Sequence, residues 1–429
     1  MQSGRALARE PLFANAGYLM TIEALSSLFG FFYWGLAARF YHPGEVGTAT
    51  AVLSAAALVS GLAGLGIGNG IIRFLPEAHG AAELVNSACT LVVLTGLVAG
   101  GLFLAGLSIW SPSLVLLQHS ATAAIGFLLF GIVLTLNATI QSVFVAHRLA
   151  LYAFIHSLIV HLVRLPLVIT LAGLQTAGLV LSTGLGFCLA LALSLVVLLP
   201  KLDAGYRLRP QLDFRVLFAL LPFSMGNHVS GLLAQSSRML LPLVILEKLG
   251  PVASGHAYVA WVLGSFLATP GIALAGSAFA EGANAPHNSA LILTRAATAG
   301  LLLTSVIAFL VWTGAHWLLL TFGHTYAEAS AGLLRWLAAA APLTVVSQLY
   351  FTQLRIQKRL RSLMLGSGAL AAVTLGVSLW LMPQFGIAAT GMGWAIGNGL
   401  VVTAGLISTR HWMMSRLRTA LAHPGSKGR

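Results

Sequence analysis

The sequence predicts an all-α integral membrane protein with twelve transmembrane helices, and two observations lead to this fold class. Only 8% of the 429 residues are charged and 58% are hydrophobic, whereas a soluble domain carries about 25% charged residues. Apolar segments of roughly 20 residues or more follow one another along the whole chain, with short connections between them. None of them alternates with the period of two that marks a barrel strand, so each predicts a helix.

The predicted spans are 13–36, 46–72, 84–109, 119–145, 151–173, 177–199, 216–246, 251–279, 289–314, 326–353, 362–382 and 386–409. The first span follows a polar stretch and is predicted to act as an uncleaved signal. Cys89 and Cys188 both fall inside spans. They are interpreted as small buried apolar residues, and no disulfide framework or metal site is expected.

The 23 Lys and Arg residues are distributed asymmetrically about these spans. With the N-terminus in the cytoplasm, eighteen of them fall on the cytoplasmic side, and only Arg39 and Lys248 fall outside. Such a bias is the positive-inside pattern, and it places both termini in the cytoplasm. It also accounts for the net charge of +13. Nucleic-acid binding would need a basic soluble domain with aromatic platforms, so no nucleic acid is expected as a partner.

The basic loop 201–215 divides the chain into two halves. The predicted organisation is an N-terminal six-helix lobe (1–200), a cytoplasmic linker (201–215), a C-terminal six-helix lobe (216–410) and a basic cytoplasmic tail (411–429). Gly47 and Gly255 occupy corresponding places in the second and eighth spans, 208 residues apart. Because six is an even number of spans, both halves begin inside, which predicts parallel repeats.

Three arginines lie within spans and predict an anion site: Arg164, Arg238 and Arg335. Each lies eight or nine residues from the predicted outer end of its span, which is about 13 Å below the outer surface. Each would cost about 2.5–3.5 kcal/mol without relief. Arginine binds phosphate through paired hydrogen bonds, so a cavity with surplus positive charge predicts a phosphate-bearing ligand. The alternative is that Glu23, backbone carbonyls and lipid headgroups satisfy the arginines.

Glu23 is the only carboxylate predicted deep in a span, and it is the candidate counter-charge or coupling residue. Polar residues at helical spacing predict the rest of the cavity lining, either beside Glu23 or on the helix faces that carry Arg164 and Arg238. The candidates are Ser26, His161, Asn227 and Gln235. The glycine-rich faces of the same helices are interpreted first as packing surfaces.

Several stretches resemble polysaccharide and O-antigen flippases, the lipid-linked oligosaccharide translocases of the multidrug/oligosaccharidyl-lipid/polysaccharide exporter superfamily. They are residues 31–77, "TFGHTYAEASAGLLRWLAAAAPL" (321–343), "PQFGIAATGMGWAIGNG" (383–399) and "RMLLPLVILEKLGPVASGHAYVA" (238–260). The family often has an Asp-Arg pair in the last of these, where this chain has Ser237 and Arg238. That departure removes one carboxylate that could have paired with Arg238.

The resemblance implies a fold of two six-helix bundles in a V, as in MATE transporters. It also implies an activity: flipping an undecaprenyl-diphosphate-linked oligosaccharide from the inner to the outer leaflet of a bacterial cytoplasmic membrane, by alternating access. The expected partners are that lipid-linked oligosaccharide, membrane lipids, a proton or sodium ion, and proteins of polysaccharide assembly, such as lipopolysaccharide O-antigen assembly.

Two other function classes remain open at this point. A MATE-type ion-coupled multidrug exporter would have the same fold, and Glu23 suits that reading. A membrane enzyme of sugar-polymer assembly is the more distant alternative, because Asp203 and Asp213 are the only aspartates and both lie in the cytoplasmic loop. No ATP-binding motif is present. The sequence therefore predicts a transporter that is not an enzyme and needs no cofactor.

Overall fold

The computed structural model describes the backbone of residues 11–78, 80–202, 206–207, 209–284 and 289–422, and these residues contain helices and no strand. Helices α1 to α6 are Pro11–Phe40, Pro43–Ala63, Ala81–Ala105, Ala121–Ala146, Ala150–Thr170 and Gln175–Leu193. The helical stretch Phe214–Asn284 is interrupted at Gly250 (φ 85°, ψ 175°), which separates α7 (214–249) from α8 (251–284). Helices α9 to α12 are Ser289–Leu320, His324–Ile356, Leu360–Phe385 and Ala388–Ala422. This all-α arrangement of long helices confirms the predicted fold class.

Ten helical stretches among the described residues are long and apolar enough to cross a membrane. One of them, His228–Ala278, runs over the Gly250 break and therefore includes parts of both α7 and α8. The chain is accordingly a multi-pass membrane protein.

Local chemistry explains where α2 begins. The Nδ1 atom of His42 accepts a hydrogen bond from the backbone N–H of Gly44 at 3.2 Å, and the Oε2 atom of Glu45 accepts one from the backbone N–H of His42 at 3.0 Å. These two bonds form a capping box that satisfies N–H groups left free at the helix start. Pro43 occupies the first helical position, where its missing N–H costs nothing.

The chain forms two compact units. The first contains residues 1–263 and 315–332, and the second contains 264–314 and 333–429. All three boundaries between these segments fall inside long helices, namely α8, α9 and α10. The division into lobes 1–200 and 216–410 stays a prediction, as does the role of the tail 411–429, whose side chains lie outside the described part.

In the first unit, α2 and α8 approach each other through a reciprocal pair of glycines. A Cβ atom on Gly47 would overlap the carbonyl oxygen of Pro251, and one on Gly255 would overlap the carbonyl oxygen of Pro43. Each helix therefore places a proline carbonyl, four residues before its own glycine, against the glycine of the other helix. Only glycine permits so close an approach, and the repeat relation of Gly47 and Gly255 stays a prediction.

The second unit is held by small apolar side chains and a buried polar network. Leu267, Ala308, Ala338 and Ala341 form one of its apolar clusters. The hydroxyl of Ser347 lies 2.6 Å from Oδ1 of Asn398, and this bond joins α10 to α12. Both side chains are fully buried, so the bond satisfies polar groups that would otherwise be costly in an apolar interior.

The two cysteines are free thiols. Cys89 is buried in an apolar cluster of the first unit, as predicted, whereas Cys188 on α6 is exposed. An exposed apolar-like side chain on a spanning helix is expected where the neighbour is lipid.

Candidate functional site

The candidate site lies in the first unit, where α1, α5 and α6 meet. Its centre is the guanidinium of Arg164 on α5, whose Cζ atom lies 4.6 Å from the centre of the Tyr33 ring on α1. A cation at this distance from an aromatic face is held by the negative potential of the ring. The pair therefore fixes a positive charge against the side of α1.

Tyr33 is itself held rigidly by α6. Its hydroxyl lies 3.1 Å from the carbonyl oxygen of Leu179, to which it can donate, and 2.8 Å and 3.0 Å from the hydroxyls of Ser182 and Thr183. Its side chain is fully buried. The ring beneath the Arg164 guanidinium thus has its position set by three polar contacts on a neighbouring helix.

Glycines provide the space around the guanidinium. A Cβ atom on Gly30 would lie 3.9 Å from an Nη atom of Arg164, and one on Gly186 would lie 3.6 Å from Cβ of Arg164 and 2.8 Å from the carbonyl oxygen of Val160. The 2.8 Å contact with the carbonyl oxygen of Val160 is too short for any residue but glycine. Gly186 therefore lets α6 approach α5 closely enough for Ser182 and Thr183 to reach Tyr33.

Arg164 has no carboxylate partner among the side chains that the structure describes. The ion pair found in that part of the chain joins Arg73 to Glu77, on the exposed surface. The Nε atom of Arg164 is buried and makes no hydrogen bond. Arginine does not lose its proton in proteins, so Arg164 is a partly buried, permanent positive charge with donor capacity that the described side chains leave unused.

A second polar pair lies one helical turn from Arg164. The Nε2 atom of His161 is 3.0 Å from the hydroxyl of Ser26 on α1, and the His161 ring stacks on Phe29 with a centroid distance of 5.5 Å and an interplanar angle of 4°. The Nδ1 atom of His161 is buried without a hydrogen-bond partner. These side chains line a small pocket between α1 and α5, together with Leu25, Phe154, Ser157 and Leu158.

Aromatic side chains complete the other side of the site. The rings of Trp34 on α1 and Tyr258 on α8 lie 4.5 Å apart at an angle of 62°, and Tyr258 packs against the apolar cluster that contains Tyr33. Aromatic rings from α1 and α8 therefore pack together beside the Tyr33 ring that carries the guanidinium.

The structure brings together three of the residues predicted from the sequence: Ser26, His161 and Arg164. Arg238 and Gln235 lie on α7 of the same unit with exposed side chains, and Arg335 is an exposed residue of the second unit. The convergence of all three arginines in one cavity stays a prediction. The side chains of Glu23 and Asn227 lie outside the described residues, so their roles also stay predictions.

Tyr33 and Tyr258 were not among the predicted site residues. A signal for Tyr33 was present, because Ser26, Gly30 and Tyr33 are spaced by four and three residues and share one face of α1. Tyr258 had no such signal, since its place beside Arg164 depends on how α8 packs.

This arrangement can bind an anion. A partly buried guanidinium that lacks an acidic partner favours a ligand with negative charge and paired acceptor oxygens. No group of three or more His, Cys, Asp or Glu side chains that could hold a metal ion occurs in the described part of the chain. The site has the chemistry of recognition by charge and aromatic packing.

Comparisons with protein-family models and with curated protein sequences find no match. Solved structures do match. The chain is similar to the lipid II flippase MurJ in an inward closed conformation (TM-score 0.76, 11% identity, 91% of this chain and 87% of that chain). It is also similar to an inward-facing multidrug resistance MATE family transporter of the MOP superfamily (TM-score 0.69, 14% identity, 94% and 96%).

A third similar structure is a MOP superfamily transporter from Pyrococcus furiosus, whose description reports a binding pocket of reverse polarity (TM-score 0.63, 14% identity, 95% and 97%). At these identities the likeness establishes the fold. The chain therefore has the fold of MurJ and of MATE transporters over nearly its whole length.

Proposed function

We propose that the chain is a MOP-superfamily transporter that flips an undecaprenyl-diphosphate-linked oligosaccharide from the inner to the outer leaflet of a bacterial cytoplasmic membrane. Both termini would lie in the cytoplasm, and the lobes 1–200 and 216–410 would alternate in access around the substrate. The chain would not be an enzyme. The observation that carries the proposal is the partly buried Arg164 guanidinium, which lies on the Tyr33 ring and has no acidic partner among the described side chains.

The positive charge of Arg164 supports a diphosphate as the ligand. A diphosphate offers several acceptor oxygens, and a guanidinium binds such oxygens in pairs. Arg238 and Arg335 are proposed to complete the cradle, with Ser26, His161, Asn227 and Gln235 lining it for the sugar. The polyprenyl tail would stay in the bilayer, since it is as apolar as the lipid.

The fold supports transport of a lipid-linked group. One of the similar structures is named as a flippase of lipid II, and this chain covers most of its length. O-antigen, capsule and exopolysaccharide units would each meet the chemical requirement of a diphosphate head. Partners in polysaccharide assembly and a proton or sodium ion for coupling belong to the same proposal.

A MATE-type ion-coupled multidrug exporter is the second candidate, because the fold matches a MATE transporter over 94% of this chain. In that case Glu23 would carry the coupling ion, and Glu23→Gln would abolish the pH dependence of cation efflux. In the flippase, Glu23 would be the counter-charge to the arginines. The two candidates therefore differ in the sign of the ligand.

Ligand binding to the purified full-length protein tests the proposal. The probes are undecaprenyl diphosphate, undecaprenol and a lipophilic cation, each measured with the wild type and with Arg164→Gln. We expect the diphosphate to bind more tightly than the alcohol. Arg164→Gln should weaken diphosphate binding about 10- to 100-fold, which corresponds to loss of one charge-assisted contact of roughly 1.5–3 kcal/mol.

The matched control is Arg39→Gln, since Arg39 lies at the end of α1 and bonds to the carbonyl oxygen of Thr321 at 3.3 Å. It should leave the affinity unchanged. Thermal unfolding in detergent verifies that both variants are folded. Equal affinity for undecaprenol and undecaprenyl diphosphate would overturn the proposal, and preferential binding of the lipophilic cation would establish the drug exporter.

A further inference from the structure

The linker between the two halves is fixed to the end of α3. The hydroxyl of Tyr206 donates a hydrogen bond to Oδ1 of Asn86 at 3.1 Å, and Nδ2 of Asn86 donates one to the carbonyl oxygen of Arg207 at 3.0 Å. One amide side chain thus holds both the side chain and the backbone of the linker. We name the described linker residues 206, 207 and 209–215 the strap.

Two more side chains of α3 hold the strap further along. The backbone N–H of Gln211 donates to the hydroxyl of Thr90 at 3.1 Å, and that of Asp213 donates to the hydroxyl of Ser87 at 3.1 Å. Asn86 and Ser87 are buried. These polar residues in a spanning helix are therefore explained by the strap backbone, which uses them as partners.

Tyr206 anchors the strap by packing as well. Its side chain is buried in the apolar cluster that contains Leu84 and Cys89. Burial raises the pKa of the Tyr206 phenol above its ordinary value, and Cys89 adds to the shift. The phenol therefore stays protonated and keeps its donor role toward Asn86.

Three side chains of the strap are basic and exposed. Arg207, Arg209 and Arg215 are all exposed, and none of them forms an ion pair with a described side chain. Tyr206 is buried, whereas the next residue, Arg207, is exposed. The strap therefore presents three guanidinium groups from a backbone that is already held in place.

Apolar side chains are exposed among these arginines. Leu212 is 39% exposed and Phe214 is 64% exposed. An acidic protein or a nucleic acid would be matched by charge alone and would leave these groups in water. The boundary between headgroups and acyl chains matches both, since guanidinium groups reach phosphates while Leu and Phe enter the apolar layer.

We propose that the strap is a binding surface for anionic phospholipid headgroups. Each guanidinium takes a headgroup phosphate, and Leu212 and Phe214 insert beside the acyl chains. Because the strap includes the first residues of α7 and is held to α3, a bound lipid would contact the point where the chain enters α7. This surface is independent of the substrate site at Arg164.

The test measures lipid binding by the full-length protein in detergent, with phosphatidylglycerol and phosphatidylcholine as probes. The strap variant is R207Q/R209Q/R215Q. The control variant is K358Q/R359Q/R361Q, which removes the same charge from exposed residues at the connection of α10 to α11 and in the first turn of α11. Tighter binding of phosphatidylglycerol is expected for the wild type and the control. The strap variant should lose up to about a hundredfold in phosphatidylglycerol affinity at low salt, with phosphatidylcholine unchanged.

A third variant, N86L/S87A/T90V, keeps every strap arginine and removes the partners that hold the strap. We expect its preference for phosphatidylglycerol to fall severalfold, because a released strap must be ordered on binding. The proposal is overturned if the strap variant binds phosphatidylglycerol like the wild type, or if the control variant loses as much. Displacement of the lipid by an equal concentration of inorganic phosphate would also overturn it, since the surface would then be an ion site.

Discussion

Replacing Tyr33 separates the two roles that its side chain performs. Tyr33→Phe keeps the ring under Arg164 and removes the hydroxyl that contacts Leu179, Ser182 and Thr183. Tyr33→Phe should lower the free energy of unfolding by about 1–2 kcal/mol. Part of this loss is offset, because the Ser182 hydroxyl also donates to the Leu179 carbonyl at 2.9 Å. Tyr33→Leu removes the ring as well, which costs a further ~2 kcal/mol for a desolvated cation–π contact.

The two variants should differ in ligand affinity as well as in stability. In Tyr33→Phe the guanidinium of Arg164 still lies on an aromatic face, so undecaprenyl diphosphate should bind within about twofold of the wild type. In Tyr33→Leu the arginine is free before binding and must be ordered by the ligand. That ordering costs about 1.5 kcal/mol, or roughly a tenfold loss of affinity.

The assay is equilibrium binding of undecaprenyl diphosphate to detergent-purified protein, alongside thermal unfolding. Tyr152→Leu is the matched control, since Tyr152 is a partly buried tyrosine on α5 that packs against Phe144. The reasoning is refuted if Tyr33→Leu binds the diphosphate like the wild type. It is also refuted if Tyr33→Phe loses as much affinity as Tyr33→Leu, because the hydroxyl contacts would then matter and the ring would not.

Three further predictions concern the rest of the chain. Gly47→Ala should lower the free energy of unfolding by about 1–3 kcal/mol, because the added methyl group overlaps the backbone of α8; Gly126→Ala, where a Cβ meets open space, should be neutral in the same thermal melt. Arg238→Ala should leave stability unchanged or higher, since it removes an intramembrane charge, and should abolish export of lipid-linked sugar, while Arg238→Lys should restore only part of it. Normal export by a folded Arg238→Ala protein would contradict the anion site. A membrane-impermeant thiol reagent should label Gln118→Cys in sealed cells and should not label Arg209→Cys. Labelling at position 209 would contradict the proposed orientation.

The helices could be predicted because run length and apolar content alone decide whether a segment can cross a bilayer. The contact between Ser26 and His161 could also have been predicted, since both residues were expected on polar helix faces. The position of the Tyr33 ring under Arg164 could not be predicted. It depends on how α1 packs against α5 and α6, and hydropathy does not encode that packing. Tyr33 lies in "FFYWG", where an aromatic run is equally typical of a helix facing lipid.

The strap shows a different reason for what the sequence leaves open. Asn86, Ser87 and Thr90 are short polar residues in a spanning helix, and such residues usually join neighbouring helices. Here they bond to the backbone of a segment more than a hundred residues later in the chain. A local pattern carries no information about a partner so distant in sequence, so 201–215 could be interpreted only as a basic loop.

The positive charge of Arg164 distinguishes the two candidate functions, because it attracts an anion and repels a cation. At a separation of about 4 Å and an effective dielectric constant of 20, two unit charges interact by about 4 kcal/mol. A cationic drug beside Arg164 would therefore lose roughly a thousandfold in affinity, and an anion would gain a comparable factor before the cost of its own desolvation. Glu23 is the only carboxylate predicted at this depth, and it can neutralise one arginine of the three. If Arg238 and Arg335 converge on Arg164 as predicted, the cavity keeps a net positive charge in every protonation state of Glu23. Such a cavity favours a diphosphate over a cation at any pH, and the selectivity of the flippase would then follow from a permanent charge and not from a proton.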